Sequence, residues 1–385
     1  MSLSALLTAA KLRLQALEFL SEERILAACS FGLPFLIYCF TLNSGGGQAQ
    51  NIVSMQSSIL QYHSFNVYPF GMDMIQQGGK FYNVYAPGLA FLSFPFAMLG
   101  FVSYGILNGY VGNAILMDGL FLTICASISG YLVFKTSQLF TKSAFASLLA
   151  SLALTLGTVV WPYAVSVFPH DASMLFSLLA VYLMLRYSRF QYSSSYLLGA
   201  AGLSLGIATL VEYAAGIFVI PLFLYIVWGR NLITRQHGAI EVTSFVAFFA
   251  AIGVGLNFLY NYMIFGNPFE FPQQASGSGV HFLVNNLLFE HALYYLISPF
   301  RGVFLLCPVL ILGFFGMREM WKWYRRESLL FLSLFGAVMI YYSAWQGWDG
   351  AWAYGPRFLI IGLPYLALPI AFLLSQKREF IRAFL

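Results

Sequence analysis

A small set of ionisable side chains in this sequence could transfer a proton or bind an anion. A carboxylate can take the proton of a hydroxyl group, and the candidates for that role are Asp73, Asp171 and Glu212. Cationic side chains can bind a phosphate, and guanidinium does so through two parallel hydrogen bonds. If they converge, the following residues would form a site for an anionic headgroup: Lys80, His170, Arg301, Tyr354 and Arg357.

Four of these residues also have a purely structural interpretation. Asp171 stands at a predicted helix start, where a carboxylate caps the helix and meets its dipole. Glu212 lies between two predicted spans, and within the headgroup zone it would need no function. Arg301 and Arg357 could pair with a carboxylate instead of a phosphate, and the available partners are Asp349, Glu270 and Glu290.

The composition indicates that the scaffold that positions these residues is a membrane protein. Of 385 residues, 60% are hydrophobic and only 9% are charged, whereas a soluble protein carries roughly a quarter charged residues. This excludes a soluble domain, a disordered chain and a disulfide scaffold. The net charge of +5 gives no argument for nucleic acid, because basic residues here report the side of the membrane. No metal ligand pattern is present, and we expect no cofactor.

A spanning helix needs about 20 apolar residues. Ten segments satisfy this and predict an all-α, polytopic helical bundle, here treated as one integral membrane domain over 1–385: 25–42, 109–134, 143–164, 171–187, 195–212, 213–229, 240–264, 298–317, 327–344 and 357–374. An eleventh apolar run covers 87–105. Residues 1–24 place leucines at helical spacing beside basic residues, which predicts an amphipathic helix on the cytoplasmic surface.

The positions of the basic residues decide how to interpret 87–105. If this run does not cross, 16 of the 19 Lys and Arg residues are cytoplasmic, as are both termini. If it crosses, Lys135 and Lys142 move outside and every later loop inverts. The sequence therefore predicts ten spans, with 87–105 a helix at the outer interface. The first outer loop, 43–108, would hold this and another interfacial helix, which the spacing from Ile52 to Tyr62 predicts.

Several polar motifs gather on the predicted outer face in an order that resembles a known superfamily. They are GKFYNVYAPGLAFLSFPF (79–96), WPYAVSVFPHDAS (161–173), NYMIFGNPFEF (261–271), SPFRGVFLLCPVLILG (298–313) and WQGWDGAWAYGPRFLIIGLPYLALP (345–369). The chain resembles the membrane-embedded GT-C glycosyltransferases, in particular prokaryotic relatives of the dolichyl-phosphate-mannose protein mannosyltransferases. This resemblance implies a polyprenyl-phosphate sugar donor, an inverting transfer and a site on the non-cytoplasmic face of a prokaryotic cell membrane.

The sequence departs from this pattern at one important place. Members of the family usually carry an acidic residue early in the first outer loop, where it acts as the base. Here the matching stretch, SGGGQAQN at 44–51, has neither Asp nor Glu. Gln48 and Gln50 cannot act as bases, because a neutral amide has no useful basicity near pH 7. Asp73 is the only carboxylate in 43–108 and is the candidate substitute.

Three functions are consistent with these observations. The first is a glycosyltransferase that uses a lipid-phosphate sugar. The second is a catalytically inactive GT-C-like subunit of a larger membrane complex, which the missing acid favours. The third is a transporter or flippase. Such a protein would carry charged residues near the bilayer midplane, and only Asp118 lies well inside a predicted span, so this function ranks third. All three predict membrane lipid as a partner, and the second also predicts partner membrane subunits.

Overall fold

The structure, a computed structural model, describes residues 3–43, 45, 48–67, 73–102, 110–189, 194–228, 239–275, 287–351 and 353–376, with 3–21 described only as backbone. Its helices are α1 (Leu3–Thr41), α2 (Ala49–Tyr62), α3 (Gly88–Val102), α4 (Tyr110–Ser137), α5 (Ala144–Leu156), α6 (Val160–Ala164), α7 (His170–Arg189), α8 (Tyr196–Val211), α9 (Val219–Trp228), α10 (Ala239–Phe265), α11 (Pro272–Ala275), α12 (Leu288–Ile297), α13 (Val303–Leu306), α14 (Leu310–Trp321), α15 (Arg325–Ala344) and α16 (Pro364–Gln376).

The fold is helical, as predicted, with one exception in the first long loop. Strands β1 (Met74–Gln77) and β2 (Lys80–Asn83) form an antiparallel hairpin in which Gln77 faces Lys80. Gly78 and Gly79 connect them with φ of 56° and 77°. A two-residue hairpin turn of type I′ needs positive φ at both positions, which glycine adopts without steric cost. The all-α prediction missed this hairpin because it gave no weight to the Gly-Gly pair.

The helices include several that can cross a membrane. Four described helical segments are long and apolar enough by length and composition: Glu22–Thr41, Gly112–Ser137, Ile240–Phe265 and Arg325–Ala344. Five further apolar helices of the described chain are shorter. The predicted surface helix 1–24 is continuous with the first span, because α1 extends over 39 residues, or about 58 Å. The total of ten spans and their orientation stay predictions.

Side-chain contacts define two opposite ends of the bundle. At one end Lys135 Nζ lies 3.2 Å from Glu23 Oε1, and Phe140 packs on Tyr324 with ring centroids 5.2 Å apart. We call this the Lys135 end. At the other end, the His170 end, the Asn43 N–H donates to the Val165 carbonyl at 3.0 Å. Lys135 therefore lies beside the first residues of the apolar segment Glu22–Thr41 of α1.

Helix α3, which covers most of the apolar run 87–105, stays near the His170 end. Its first residue, Gly88, packs directly on the backbone of Leu210 at the end of α8. Along its length, Phe96 packs on Phe121 with ring centroids 5.4 Å apart, and Gly100 packs on the Ala114 backbone. Helix α3 thus lies along the first half of α4 and does not extend to Lys135. Whether the run 87–105 crosses a membrane stays a prediction.

Four predicted spans are interrupted or begin irregularly. The predicted span 143–164 breaks after Leu156, and the span 298–317 breaks at Cys307-Pro308. Two others begin as 3₁₀ turns, Tyr213–Phe218 and Arg357–Gly362. Irregular backbone at membrane depth is tolerated where it is buried in protein or lines a wet cavity. Both 3₁₀ turns begin beside the cavity described below.

Candidate functional site

A cavity of about 420 Å³ opens at the His170 end of the bundle. It collects residues from the start of α2, the hairpin, the start of α7, the ends of α8 and α15, and the loop 345–357. Among the residues predicted from the sequence, those that line this cavity are Asp73, His170, Glu212 and Arg357. The cavity therefore brings together residues that are more than 280 positions apart in the sequence, such as Asp73 and Arg357.

Asp73 stands on the side of the cavity formed by the hairpin. Its side chain is exposed, and the Tyr85 hydroxyl donates a hydrogen bond to its carboxylate. Burial raises the pKa of Tyr85 well above its ordinary value, and the neighbouring Asp73 raises it further, so the hydroxyl remains a donor. The Asn51 side chain donates to the Asp73 backbone carbonyl at 3.0 Å. Helix α2 therefore fixes the chain at the position of this carboxylate.

A buried polar cluster fastens α2 to the bundle. The Gln56 amide donates to the Ser93 hydroxyl at 2.9 Å and to Asp118 Oδ1 at 3.2 Å, which ties α2 to α3 and α4. Asp118 therefore has a hydrogen-bonded partner, which the sequence did not reveal. At the start of the same helix the buried Gln48 side chain lines the cavity beside Tyr85. A neutral amide, which cannot act as a base near pH 7, thus faces the cavity at this position.

His170 and Glu212 form a buried pair at the back of the cavity. His170 Nδ1 lies 3.2 Å from both carboxylate oxygens of Glu212, and the Tyr342 hydroxyl donates to Glu212 Oε1. Both side chains are almost completely buried. The pair connects His170, the first residue of α7, to Glu212, which directly follows the last residue of α8. Glu212 already has two partners, so it is less available as a base than the exposed Asp73.

Arg357 supplies a cation that forms no ion pair with a described carboxylate, although Glu212 is near enough to interact with it electrostatically. Its guanidinium carbon lies 5.2 Å from the ring centroid of Phe168 and 4.7 Å from that of Phe358. Its Nε is buried, and the side chain makes no hydrogen bond or ion pair with another described residue. Aromatic faces stabilise a guanidinium but leave its N–H donors free. Those donors are therefore available to an anion that enters the cavity.

Four predicted residues lie outside the lining of this cavity. Asp171 is 0% exposed on the first turn of α7, and neither of its oxygens is bonded to a described residue. It therefore has no route to an acceptor hydroxyl in this structure. Lys80 is exposed at the hairpin turn, away from the lining. Tyr354 is 57% exposed, and its backbone carbonyl accepts from the Tyr163 hydroxyl at 2.6 Å.

Arg301 is the fourth of these residues, and both of its terminal nitrogens donate to protein carbonyls, whereas its buried Nε has no partner among the described residues. Its guanidinium donates to the carbonyls of Gly355 at 2.8 Å and Ala351 at 2.7 Å, and also to that of Ala353. The side chain is 1% exposed. Arg301 therefore binds backbone carbonyls of the loop that leads to Arg357 and does not line the cavity.

Comparisons with known proteins agree with this architecture. A model of the family described as dolichyl-phosphate-mannose-protein mannosyltransferase matches residues 111–256. The oligosaccharyltransferase of Archaeoglobus fulgidus in the apo form superposes with a TM-score of 0.61 at 15% identity, over 95% of this chain and 51% of that one. The same enzyme tethered to an acceptor peptide containing the NVT sequon gives 0.59 at 15% identity, over 93% and 50%.

A third solved structure has the same helical arrangement. ArnT from Cupriavidus metallidurans, bound to undecaprenyl phosphate, gives a TM-score of 0.50 at 13% identity, over 96% of this chain and 62% of that one. This chain has the GT-C fold. The resemblance predicted from the sequence is thereby confirmed. The chain spans about half the length of the oligosaccharyltransferase and less than two thirds of ArnT. A search among curated proteins found no match.

Within this GT-C fold, several cavity residues were not predicted from the sequence. They are Gln48, Tyr85, Tyr342, Trp345 and Asp349. Asp349 is exposed in the cavity, and its carboxylate accepts from the Ala351 N–H at 3.3 Å. The sequence did show Asp349 inside a motif with Arg357, but only as a partner for an arginine. Among the described residues, no group of three or more His, Cys, Asp and Glu could hold a metal ion.

Proposed function

We propose that this protein transfers a sugar from a polyprenyl-phosphate donor to an acceptor on the extracytoplasmic face of a prokaryotic cell membrane. The observation that carries the proposal is that Arg357 and Asp73 line the same cavity. Arg357 offers guanidinium donors that have no anionic partner among the described residues. Asp73 offers an exposed carboxylate on a different wall. One residue suits a phosphate, and the other suits the proton of an attacking hydroxyl.

The roles follow from the chemistry of an inverting transfer. The acceptor oxygen forms a bond to the anomeric carbon while the bond from that carbon to the phosphate oxygen breaks. The electron pair of the broken bond leaves with the phosphate, which gains negative charge. Arg357 offsets that charge through charge-assisted hydrogen bonds, and Asp73 takes the proton of the acceptor hydroxyl. Tyr85 orients the Asp73 carboxylate through its hydrogen bond.

The location at the outer face is supported by the two ends of the bundle. The predicted cytoplasmic residue Lys135 pairs with Glu23 at the end opposite the cavity. Lys and Arg are retained on the cytoplasmic side of membrane proteins. The cavity then opens toward the other side, where a lipid-linked donor can approach it from the outer leaflet.

The solved structures with the same fold support the donor class. One of them, ArnT, is bound to undecaprenyl phosphate, and another, the oligosaccharyltransferase, is tethered to an acceptor peptide. An unpartnered guanidinium at the cavity is what a polyprenyl phosphate would need. The proposal does not name the sugar or the acceptor, so a test of transfer uses a panel of donors that carry different sugars.

The decisive experiment measures binding of undecaprenyl phosphate to purified Arg357→Ala in nanodiscs. We expect affinity to fall about 10- to 150-fold, because a charge-assisted hydrogen bond contributes about 1.5–3 kcal/mol. Arg318→Ala is the matched control, since Arg318 is an exposed arginine at the end of α14, toward the Lys135 end. Unchanged affinity in Arg357→Ala, or an equal loss in Arg318→Ala, would refute the phosphate site.

A second function, a non-catalytic subunit of a membrane complex, is favoured by one observation. Gln48 lines the cavity in the stretch where relatives usually carry the acidic base, and its amide cannot accept a proton at neutral pH. Such a subunit would still bind lipid phosphate through Arg357. Sugar transfer by the isolated chain, with a panel of synthetic polyprenyl-phosphate sugars, would exclude this alternative. Binding without transfer, together with co-purification of a stoichiometric partner, would favour it.

A further inference from the structure

The loop that carries Arg357 has an unusual backbone. Gly350, Ala351 and Gly355 all have positive φ, at 66°, 51° and 59°. An alanine in this conformation is uncommon, because its Cβ crowds the backbone. Such a conformation persists only when the surroundings fix it. The residues that fix this loop therefore also determine where Arg357 is presented.

Among the described residues, Arg301 donates more side-chain hydrogen bonds to the backbone of this loop than Tyr163 or Tyr295 does. One guanidinium bonds to the carbonyls of three alternate residues, Ala351, Ala353 and Gly355. It has no ion pair with a described carboxylate and packs 4.0 Å from the centroid of the Phe300 ring. Burying a charged group is costly unless it is hydrogen-bonded, and the three carbonyls offset part of that cost, although the buried Nε has no partner among the described residues. Conversely, the guanidinium satisfies carbonyls that a tightly curved loop cannot pair internally.

The Gly355 carbonyl links this contact to Arg357 directly. It accepts from Arg301 Nη1 at 2.8 Å and from the Arg357 backbone N–H at 2.9 Å. On the other side, Gly350 approaches Arg357 so closely that a Cβ there would lie 3.1 Å from Nε. The guanidinium of Arg357 is thus confined between backbone and aromatic rings. Its backbone belongs to a loop that Arg301 contacts at three carbonyls.

We propose that Arg301 is a positioning residue for Arg357. It acts on the anion site through the loop 351–355 and does not touch the ligand. This inference rests on the proposed function only in naming phosphate as the ligand. The arrangement separates two tasks that a pair of arginines could have shared, since one guanidinium binds protein carbonyls and the other remains free for the anion.

A double-mutant cycle tests the proposal with undecaprenyl phosphate as the probe. Arg301→Gln, Arg357→Ala and the double variant are purified in nanodiscs and titrated. We expect Arg301→Gln to lose about 10-fold in affinity, because a small misplacement of a binding group is costly. In the Arg357→Ala background the same substitution should change affinity by less than about 2-fold. Losses that add in the double variant would mean that Arg301 contacts the ligand, and would overturn the proposal.

A ligand-free measurement separates this inference from the proposed function. Hydrogen exchange over residues 345–357 should be faster in Arg301→Gln than in the parent protein, whether or not phosphate binds. Unchanged exchange would overturn the inference, whereas faster exchange together with normal binding by Arg357→Ala would refute only the phosphate site. If Arg301→Gln does not fold, Arg301→Lys keeps the charge but lacks the planar arrangement of donors that reaches three carbonyls. It should show the same dependence on Arg357.

Discussion

The two walls of the cavity that carry Arg357 and Asp73 are held in different ways. Backbone carbonyls of the loop 345–357 accept hydrogen bonds from three side chains, Tyr163, Tyr295 and Arg301. Asp73 lies on an exposed segment before a two-stranded hairpin, where Asn51 and Tyr85 are its hydrogen-bonding partners. The first wall is held by three buried side chains. The second is held by two, the buried Asn51 and the half-buried Tyr85, and the Asp73 carboxylate itself is exposed.

This difference corresponds to the two tasks in the proposed reaction. Stabilising charge on a departing phosphate requires donors fixed before the reaction, since reorganisation would cost part of the gain. Taking a proton requires a carboxylate that can reach different acceptor hydroxyls. We therefore expect substitutions in the loop 345–357 to alter binding of the lipid phosphate. Substitutions around Asp73 should instead alter the rate of transfer.

The largest effect is expected for Asp73→Asn. The amide keeps the size of the carboxylate but cannot take a proton, so the rate of sugar transfer should fall about 100-fold or more. Affinity for undecaprenyl phosphate should remain within about 2-fold, since that affinity depends on the other wall. Asp349→Asn is the matched control, because Asp349 is the other exposed carboxylate among the described residues that line the cavity. A larger loss in Asp349→Asn would move the base to the opposite wall.

The next effect is expected for Gly355→Ala. A Cβ at this position would lie 2.9 Å from Val159 Cγ1, on a backbone with φ of 59°. Displacement of the neighbouring Arg357 should lower undecaprenyl phosphate affinity about 10-fold. Gly79→Ala is the control on the hairpin wall, since it has the same sign of φ but no atom within 4 Å of a new Cβ. Equal affinities in the two variants would mean that the first wall is not the more constrained.

A smaller effect is expected for Tyr85→Phe. The substitution removes the donor to Asp73, and a hydrogen bond to a charged group contributes about 1.5 kcal/mol or slightly more. We expect transfer to slow about 10-fold, with undecaprenyl phosphate affinity unchanged. Tyr354→Phe serves as control, because Tyr354 lies outside the lining of the cavity. A loss of lipid affinity in Tyr85→Phe would show that the two walls are coupled.

The smallest effect is expected for Lys80→Ala. Lys80 is exposed at the turn of the hairpin and does not line the cavity. Both binding and transfer should stay within about 2-fold of the parent protein, as is usual for an exposed residue away from special features. Titration with undecaprenyl phosphate at two salt concentrations would detect a contribution from this charge. A loss comparable with that of Arg357→Ala would extend the anion site onto the hairpin.

Much of the fold could be predicted from composition and periodicity. The paucity of charge indicated a membrane bundle, and the basic residues predicted that Lys135 would lie on the same side as Arg24, whose neighbour Glu23 pairs with Lys135. The hairpin at Gly78-Gly79 was missed, although the glycine pair was a usable signal. The breaks inside apolar segments such as 298–317 were not predicted, because hydropathy reports the length of a run and not its backbone geometry.

The sequence by itself determined that the chain is a membrane bundle and that its polar motifs collect on one side, because each of these follows from local composition. It also identified Asp73, His170, Glu212 and Arg357 as candidates that the structure places around one cavity. Only the tertiary structure decided which arginine is free. Arg301 and Arg357 look equivalent in the sequence, but one bonds to carbonyls about 50 residues away and the other has no anionic partner among the described residues. That distinction depends on long-range contacts, which no local pattern encodes.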